Sequence, residues 1–259
     1  RFTYVLDTDG SLLWRFDGNE VRQLLYGDVT GDGIPDVVVL TNVGSMVYVL
    51  NKNTGSLIWS YSTINYNSGV LGDITGDHIN DIVVSSGAAD IYPPNNKLYA
   101  LRNDGALLWS RDIAYGSANS PTVPILEDLD NDGVKDVIVG AEQMIKTYKN
   151  DGTPMWTFGD PTYFGGKTPE LFRFDINRDG QGEIIFLRDK DAYQLSKDGS
   201  ATLVGTLPMT DSWGVERFGV YGGRVTEAAS TQTEWLVTGD INNDGFDELL
   251  FHEIIDGKF

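Results

Sequence analysis

Asp28-Val29-Thr30-Gly31-Asp32-Gly33-Ile34-Pro35-Asp36 decides the fold, because the chain returns to this pattern four more times. The copies are Asp73-Ile74-Thr75-Gly76-Asp77-His78-Ile79-Asn80-Asp81, Asp128-Leu129-Asp130-Asn131-Asp132-Gly133-Val134-Lys135-Asp136, Asp175-Ile176-Asn177-Arg178-Asp179-Gly180-Gln181-Gly182-Glu183 and Asp240-Ile241-Asn242-Asn243-Asp244-Gly245-Phe246-Asp247-Glu248. Each puts an oxygen-bearing side chain at positions 1, 3, 5 and 9 of a nine-residue window. That alternation curls a loop round a hard cation, and oxygen at this density suits calcium. Position 6 is Gly in four of the five copies, where a sharp turn calls for positive φ, and position 7 then offers its backbone carbonyl. The expected ligand sets are Asp28, Thr30, Asp32, Ile34 and Asp36; Asp73, Thr75, Asp77, Ile79 and Asp81; Asp128, Asp130, Asp132, Val134 and Asp136; Asp175, Asn177, Asp179, Gln181 and Glu183; and Asp240, Asn242, Asp244, Phe246 and Glu248. His78 replaces the glycine in the second copy, at a conformational cost that makes this the weakest expected site.

The EF-hand loop begins in the same way, but it needs a bidentate Glu at position 12 and a helix on each side. Position 12 here is Val39, Val84, Val139, Phe186 and Phe251. Short apolar runs follow each ninth position, Val37 to Leu40 in the first copy and Leu249 to Phe251 in the last, and these read as buried strands.

The loops also explain the charge. The chain of 259 residues has 38 acidic and 19 basic side chains, a net −19. Sixteen of the carboxylates fall at positions 1, 3, 5 and 9 of the loops, leaving 22 acids against 19 bases elsewhere. Acidity is thus gathered into five clusters that repel themselves unless a cation is present. No basic stripe exists to neutralise phosphates, so nucleic acid is excluded as a partner, and no apolar run in this segment approaches membrane-spanning length. Cysteine is absent, which removes disulfide and thiol chemistry. Loops this exposed and numerous suit the calcium levels outside cells, so an extracellular location, secreted or at the cell surface, is expected. The chain starts inside a repeat, without an initiator Met or signal peptide, and reads as a mature or excised piece of something longer.

A second repeat runs out of phase with the first: Asp9-Gly10-Ser11-Leu12-Leu13-Trp14, Thr54-Gly55 to Trp59, Asp104-Gly105 to Trp109, Asp151-Gly152 to Trp156, and a weakened Asp198-Gly199 to Leu203. Each is a Gly turn leading into a strand, and an alternating strand precedes each turn. One unit therefore reads strand, acidic loop, strand, short connection, strand, Gly turn, strand. This is a four-stranded antiparallel sheet of the size of one β-propeller blade, and the expected fold is an all-β propeller. Loop spacings of 45, 55, 47 and 65 residues place insertions at about 87–96 and 208–230. Blades are expected at about 20–62, 66–113, 119–158 and 168–207. A fifth, split blade would be shared by residues 1–16 and 233–259 and would close the ring, making one propeller domain of 1–259; continuation of a longer tandem array is the alternative.

The loops, with the apolar strand after each, resemble the FG-GAP and VCBS repeats of integrin α-subunit propellers and many secreted microbial proteins. The segments Tyr48 to Trp59 and Tyr99 to Trp109 are similar to the repeat of PQQ-type propellers. The Phe-Gly and Gly-Ala-Pro signatures that name the integrin repeat are largely missing. The resemblance implies a propeller with up to five calcium ions, one in the loop between the first and second strands of each blade, and any ligand bound on the opposite face.

Repetition also assigns roles. Trp14, Trp59, Trp109 and Trp156 are expected to pack between adjacent sheets. On the face away from the acidic loops the connections carry Tyr61, Tyr66, Tyr115, Tyr163, Phe164, Trp213 and Tyr221, with Tyr92 in an insertion. Of these, Tyr66, Tyr92, Tyr115, Tyr163 and Trp213 are candidate contacts for a glycan or protein ligand. Neither histidine is placed as a base, and no nucleophile elbow or phosphate loop is present. The expected function is a non-catalytic, calcium-stabilised interaction, adhesion or scaffold module that binds protein or glycan, including other domains of a longer surface protein. The alternative is a carbohydrate-active enzyme, a polysaccharide lyase or glycosidase, on the same fold.

Overall fold

The computed structural model describes residues 2–18, 20–42, 44–64, 67–87, 95–115, 121–142, 144–159, 168–175, 182–188, 191–206, 236–239 and 248–251. These residues form strands and no helix, so none is long and apolar enough to cross a membrane. The first hairpin is β1 (Phe2–Leu6) with β2 (Leu12–Asp17). Four antiparallel sheets of four strands follow, each in chain order. They are β3 (Val21–Gly27), β4 (Asp36–Thr41), β5 (Met46–Leu50) and β6 (Leu57–Ser62); β7 (Asn67–Gly72), β8 (Asp81–Ser86), β9 (Asn95–Leu101) and β10 (Leu107–Tyr115); β11 (Ile125–Glu127), β12 (Asp136–Ala141), β13 (Met144–Tyr148) and β14 (Pro154–Phe158); and β15 (Leu171–Phe174), β16 (Glu183–Arg188), β17 (Asp191–Leu195) and β18 (Ala201–Thr206). A last pair, β19 (Leu236–Gly239) and β20 (Glu248–Phe251), is also antiparallel.

Each acidic loop joins the first strand of its sheet to the second, as the repeat requires. The second strands read as unbroken apolar runs because both of their faces are covered: every residue of β4, β8 and β12 is buried. Sheets stack face to face, so Val47 and Val49 of one sheet share a core with Ile82, Val84 and Tyr99 of the next. First strands meet first strands, β3 against β7, β7 against β11 and β11 against β15. Leu71 lies where a side chain on Gly27 would sit, and Leu126 stands in the same way over Gly72. At the third junction the small–large pair is replaced by charge, with Arg173 Nε 2.6 Å from Glu127 Oε2.

Tryptophan locks the outer strands. Trp14, Trp59, Trp109 and Trp156 donate their indole N–H to the carbonyls of Lys52, Asn103, Asn150 and Lys197, each in the Gly turn of the following sheet. The rings lie flat on Gly55, Gly105, Gly152 and Gly199, so close that a Cβ there would fall 2.6–2.9 Å from ring carbons. These glycines therefore do two things: they take the positive φ of the turn and leave room for the ring.

Residues 240–247 and 252–259, on which closure by a split blade would depend, lie outside the described residues. β1–β2 and β19–β20 are separate two-stranded sheets, and no ladder joins β20 to β1 among the described residues. Among the described residues, one face of β1–β2 is left exposed. Leu6 is 57% exposed, whereas Leu101 and Leu195, which stand at the same distance from their Gly turns, are 0% and 3% exposed. The 208–230 insertion lies outside the described residues, as does most of the one at 87–96.

Two measurements check this packing. Gly105→Ala is expected to lose roughly 2 to 4 kcal/mol in a denaturant titration, from left-handed strain plus overlap with Trp59. Glu170, at the end of β15 away from its acidic loop, has its carboxyl pushed up to about 7 by burial. A folded-state value above the ordinary 4.5 means that stability from the protonated form is present at low pH and is lost as pH rises through 7. Glu170→Gln should flatten the pH–stability profile across that window and melt above wild type on its alkaline side.

Candidate metal centres

The first three loops are described in full, and they share one hydrogen-bond plan. The position 1 aspartate caps the turn: Asp28 accepts the amides of Gly31 and Gly33 at 2.7 and 2.8 Å, and Asp73 those of Gly76 and His78 at 2.6 and 2.8 Å. Asp128 accepts from Asp132 and Gly133 at 3.2 and 3.0 Å. The position 5 aspartate accepts the position 7 amide, as in Ile34 to Asp32, Ile79 to Asp77 and Val134 to Asp132. Between these polar groups the aliphatic residue at position 2 points into the core. Val29, Ile74 and Leu129 are at most 4% exposed and anchor each loop to its sheet.

Position 9 is the joint of the site. Asp36, Asp81 and Asp136 are buried and accept the position 2 amides of Val29, Ile74 and Leu129. In the second and third sheets the other oxygen of the same carboxylate accepts an amide from the Gly turn, Asn103 N to Asp81 at 3.0 Å and Asn150 N to Asp136 at 3.2 Å. Asn103 and Asn150 are the residues whose carbonyls hold Trp59 and Trp109. One aspartate thus connects an acidic loop to the socket that receives the preceding sheet.

Backbone geometry matches the expected turn. Position 6 has positive φ at Gly33, His78 and Gly133, so His78 takes the strained conformation the pattern implied, with φ 66°. Position 4 is also left-handed, at Gly31, Gly76 and Asn131, a requirement that position 6 alone does not reveal. Neighbouring loops nest, because Ile79 of the second loop fills the space beside Gly31 of the first.

The donor chemistry fits a hard divalent cation. Carboxylate oxygens of Asp128, Asp130 and Asp136 lie within 4.8 Å of one another. Burial raises the Asp136 carboxyl above its ordinary range, and the neighbouring Asp130 and Asp132 charges push it the same way. Asp81 is raised for the same reasons, burial first and then the charge of Asp77. Asp73 shows the opposite balance: burial opposes ionisation, but main-chain N–H groups from His78, Gly76, Thr75 and Asp77 hold it below the usual range. A cation bound at positions 1, 3, 5 and 9 and at the position 7 carbonyl would offset the cost that Asp81 and Asp136 carry.

Of the fourth loop only Asp175, Gly182 and Glu183 are described; Asn177, Asp179 and Gln181 lie outside the described residues, as do Asp240, Asn242, Asp244 and Phe246 of the fifth, where the backbone of Glu248 opens β20. Tyr66, Tyr92, Tyr163 and Trp213 also lie outside them, and for Tyr115 only the backbone at the end of β10 is described. Tyr61, grouped by sequence with the outward-facing aromatics, instead packs edge-on against Tyr99 in the core between the first two four-stranded sheets. Sequence reading missed Asn80, whose side chain donates to the Asp28 carbonyl and bridges two loops at 2.9 Å, and Lys149, 2.6 Å from Asp130.

Four-stranded sheets in chain order, inner strands in mutual contact and an acidic loop at the same corner of each make this a β-propeller repeat protein. The FG-GAP-like repeat model matches residues 28–84, 73–139 and 128–186, more than half of the chain, and the chain belongs to that family. Among solved structures it is similar to a europium-containing methanol dehydrogenase, with TM-score 0.54 and 13% identity over 78% of this chain and 47% of that one. It is also similar to BBS1N in complex with ARL6DN, with TM-score 0.53 and 13% identity over 79% of this chain and 60% of that one. The chain thus spans about half to three-fifths of these structures, and at such identity they share its fold alone. No curated protein matches the chain.

Chelation tests the centres. Removing calcium that is held about a hundredfold above Kd costs about 2.7 kcal/mol per site, or about 5–10 °C in Tm for a chain of this size. Asp128→Ala should remove more of that shift than Asp130→Ala, because Asp128 also caps the turn through two amides. Identical melts with and without chelator count against structural calcium.

Proposed function

We propose that the chain is a non-catalytic, calcium-stabilised propeller module of a secreted or cell-surface protein, holding a rigid face toward a protein or glycan partner. The observation that carries this reading is where the carboxylates sit. Asp81 and Asp136 are built into the joints between sheets, bonded both to their own loops and to the tryptophan sockets. Carboxylates so engaged are poor general acids or bases, because the oxygens that would exchange a proton with substrate already accept main-chain N–H groups. A cation there stabilises the architecture, and its binding energy becomes folding energy.

Extracellular calcium explains why five such loops would be used. Extracellular calcium modules bind with Kd of about 10⁻⁴–10⁻³ M, weak enough to fill only where calcium is abundant. Partner binding falls to the face away from these loops, which carries the connections between sheets. Protein and glycan ligands share the need for exposed aromatic and polar groups on a stable frame.

A glycan array and a reducing-sugar release assay on one calcium-loaded preparation test the reading. Binding to an array without release of reducing ends is the expected outcome if the partner is glycan. Turnover of any polysaccharide contradicts a non-catalytic role.

A further inference from the structure

We propose that Lys149 is a built-in counter-cation of the 128–136 loop and sets how tightly that loop holds a divalent ion. The inference rests on the calcium reading of the loops. Its starting point is a difference between copies: position 3 is Thr30, Thr75, Asn177 and Asn242 in four loops, and Asp130 in the third alone. That loop therefore carries a fourth carboxylate.

The structure shows where the extra charge goes. Lys149 opens the Gly turn between β13 and β14, and its Nζ lies 2.6 Å from Asp130 Oδ2. From the next sheet, Lys197 Nζ donates to Asn131 Oδ1 of the same loop at 2.9 Å. The second sheet lacks this arrangement. There the residue that opens the turn, Arg102, bonds Asp104 within its own turn, and the group reaching the acidic loop is the neutral side chain of Asn103, which donates to Asp77 at 3.1 Å. The added carboxylate and the added ammonium thus come as a pair, and the four side-chain ligand positions of the third loop together with Lys149 carry the same net charge as those positions in the neighbouring loops.

Asp130 is one of the three aspartates whose oxygens converge within 4.8 Å. An ion entering that cluster meets a carboxylate already held by an ammonium, so it must share Asp130 or displace Lys149. Repulsion between a divalent ion and a fixed monovalent one about 6 Å away in water is worth about a tenfold change in affinity. The same ammonium holds the loop together without metal, by neutralising the carboxylate that would otherwise repel its neighbours.

Calcium titration calorimetry on wild type, Lys149→Met, Asp130→Asn and the double variant tests this, with melts of each in chelator. Lys149→Met is expected to bind one ion about tenfold more tightly than wild type and to melt lower in chelator, and the tightening should vanish when Asp130→Asn is also present. Calcium uptake in which Lys149→Met matches or falls below wild-type affinity overturns the inference alone, as does tightening that persists in the double variant. Failure of every variant to take up calcium overturns the calcium reading and the inference with it.

Discussion

The buried carboxylate at the ninth position of the first three acidic loops is the constraint on which the structure depends. In the second and third sheets it accepts an amide from its own loop and another from the Gly turn on the neighbouring hairpin. That turn in turn accepts the tryptophan of the preceding sheet. Loop, turn and neighbouring sheet are joined in series, so the conformation of one acidic loop is felt at the junction of two sheets. Burying the carboxylate beside others of like charge opposes its ionisation, and this is the cost that a divalent ion is suited to offset.

Around this joint the repeat varies without losing its geometry. The junctions of the first strands use leucine over glycine twice and then an arginine–glutamate pair. The tryptophan socket is kept four times, and the weakened fifth motif supplies Leu203, which is 52% exposed on β18. The open face of β1–β2, with Tyr4 and Leu6 uncovered, shows the same rule from the other side, because a sheet of this type buries its apolar residues only when another sheet lies against it.

Much of this could be read from residues in order. The acidic loops, the strand after each, the four-strand unit and the interlocking role of Trp14, Trp59, Trp109 and Trp156 all follow from local pattern and period. Contacts across sheets could not be read in that way. Arg173 meets Glu127 and Lys197 meets Asn131 over 46 and 66 residues, and each residue alone looks like an ordinary polar surface residue. Tyr61 reads as outward-facing for the same reason, since only its neighbour across the sheet interface, Tyr99, turns it inward. The left-handed backbone at Asn131 was concealed because Gly31 and Gly76 occupy that position in the first two loops, where they resemble flexible spacers.

Hydrogen exchange at the Asn103 and Asn150 amides, followed with and without calcium, measures the joint itself, since those amides bond Asp81 and Asp136. If cations fill the acidic loops and steady the sockets, calcium slows exchange at both positions. Exchange at both that is unchanged by calcium would contradict a structural role for the ion.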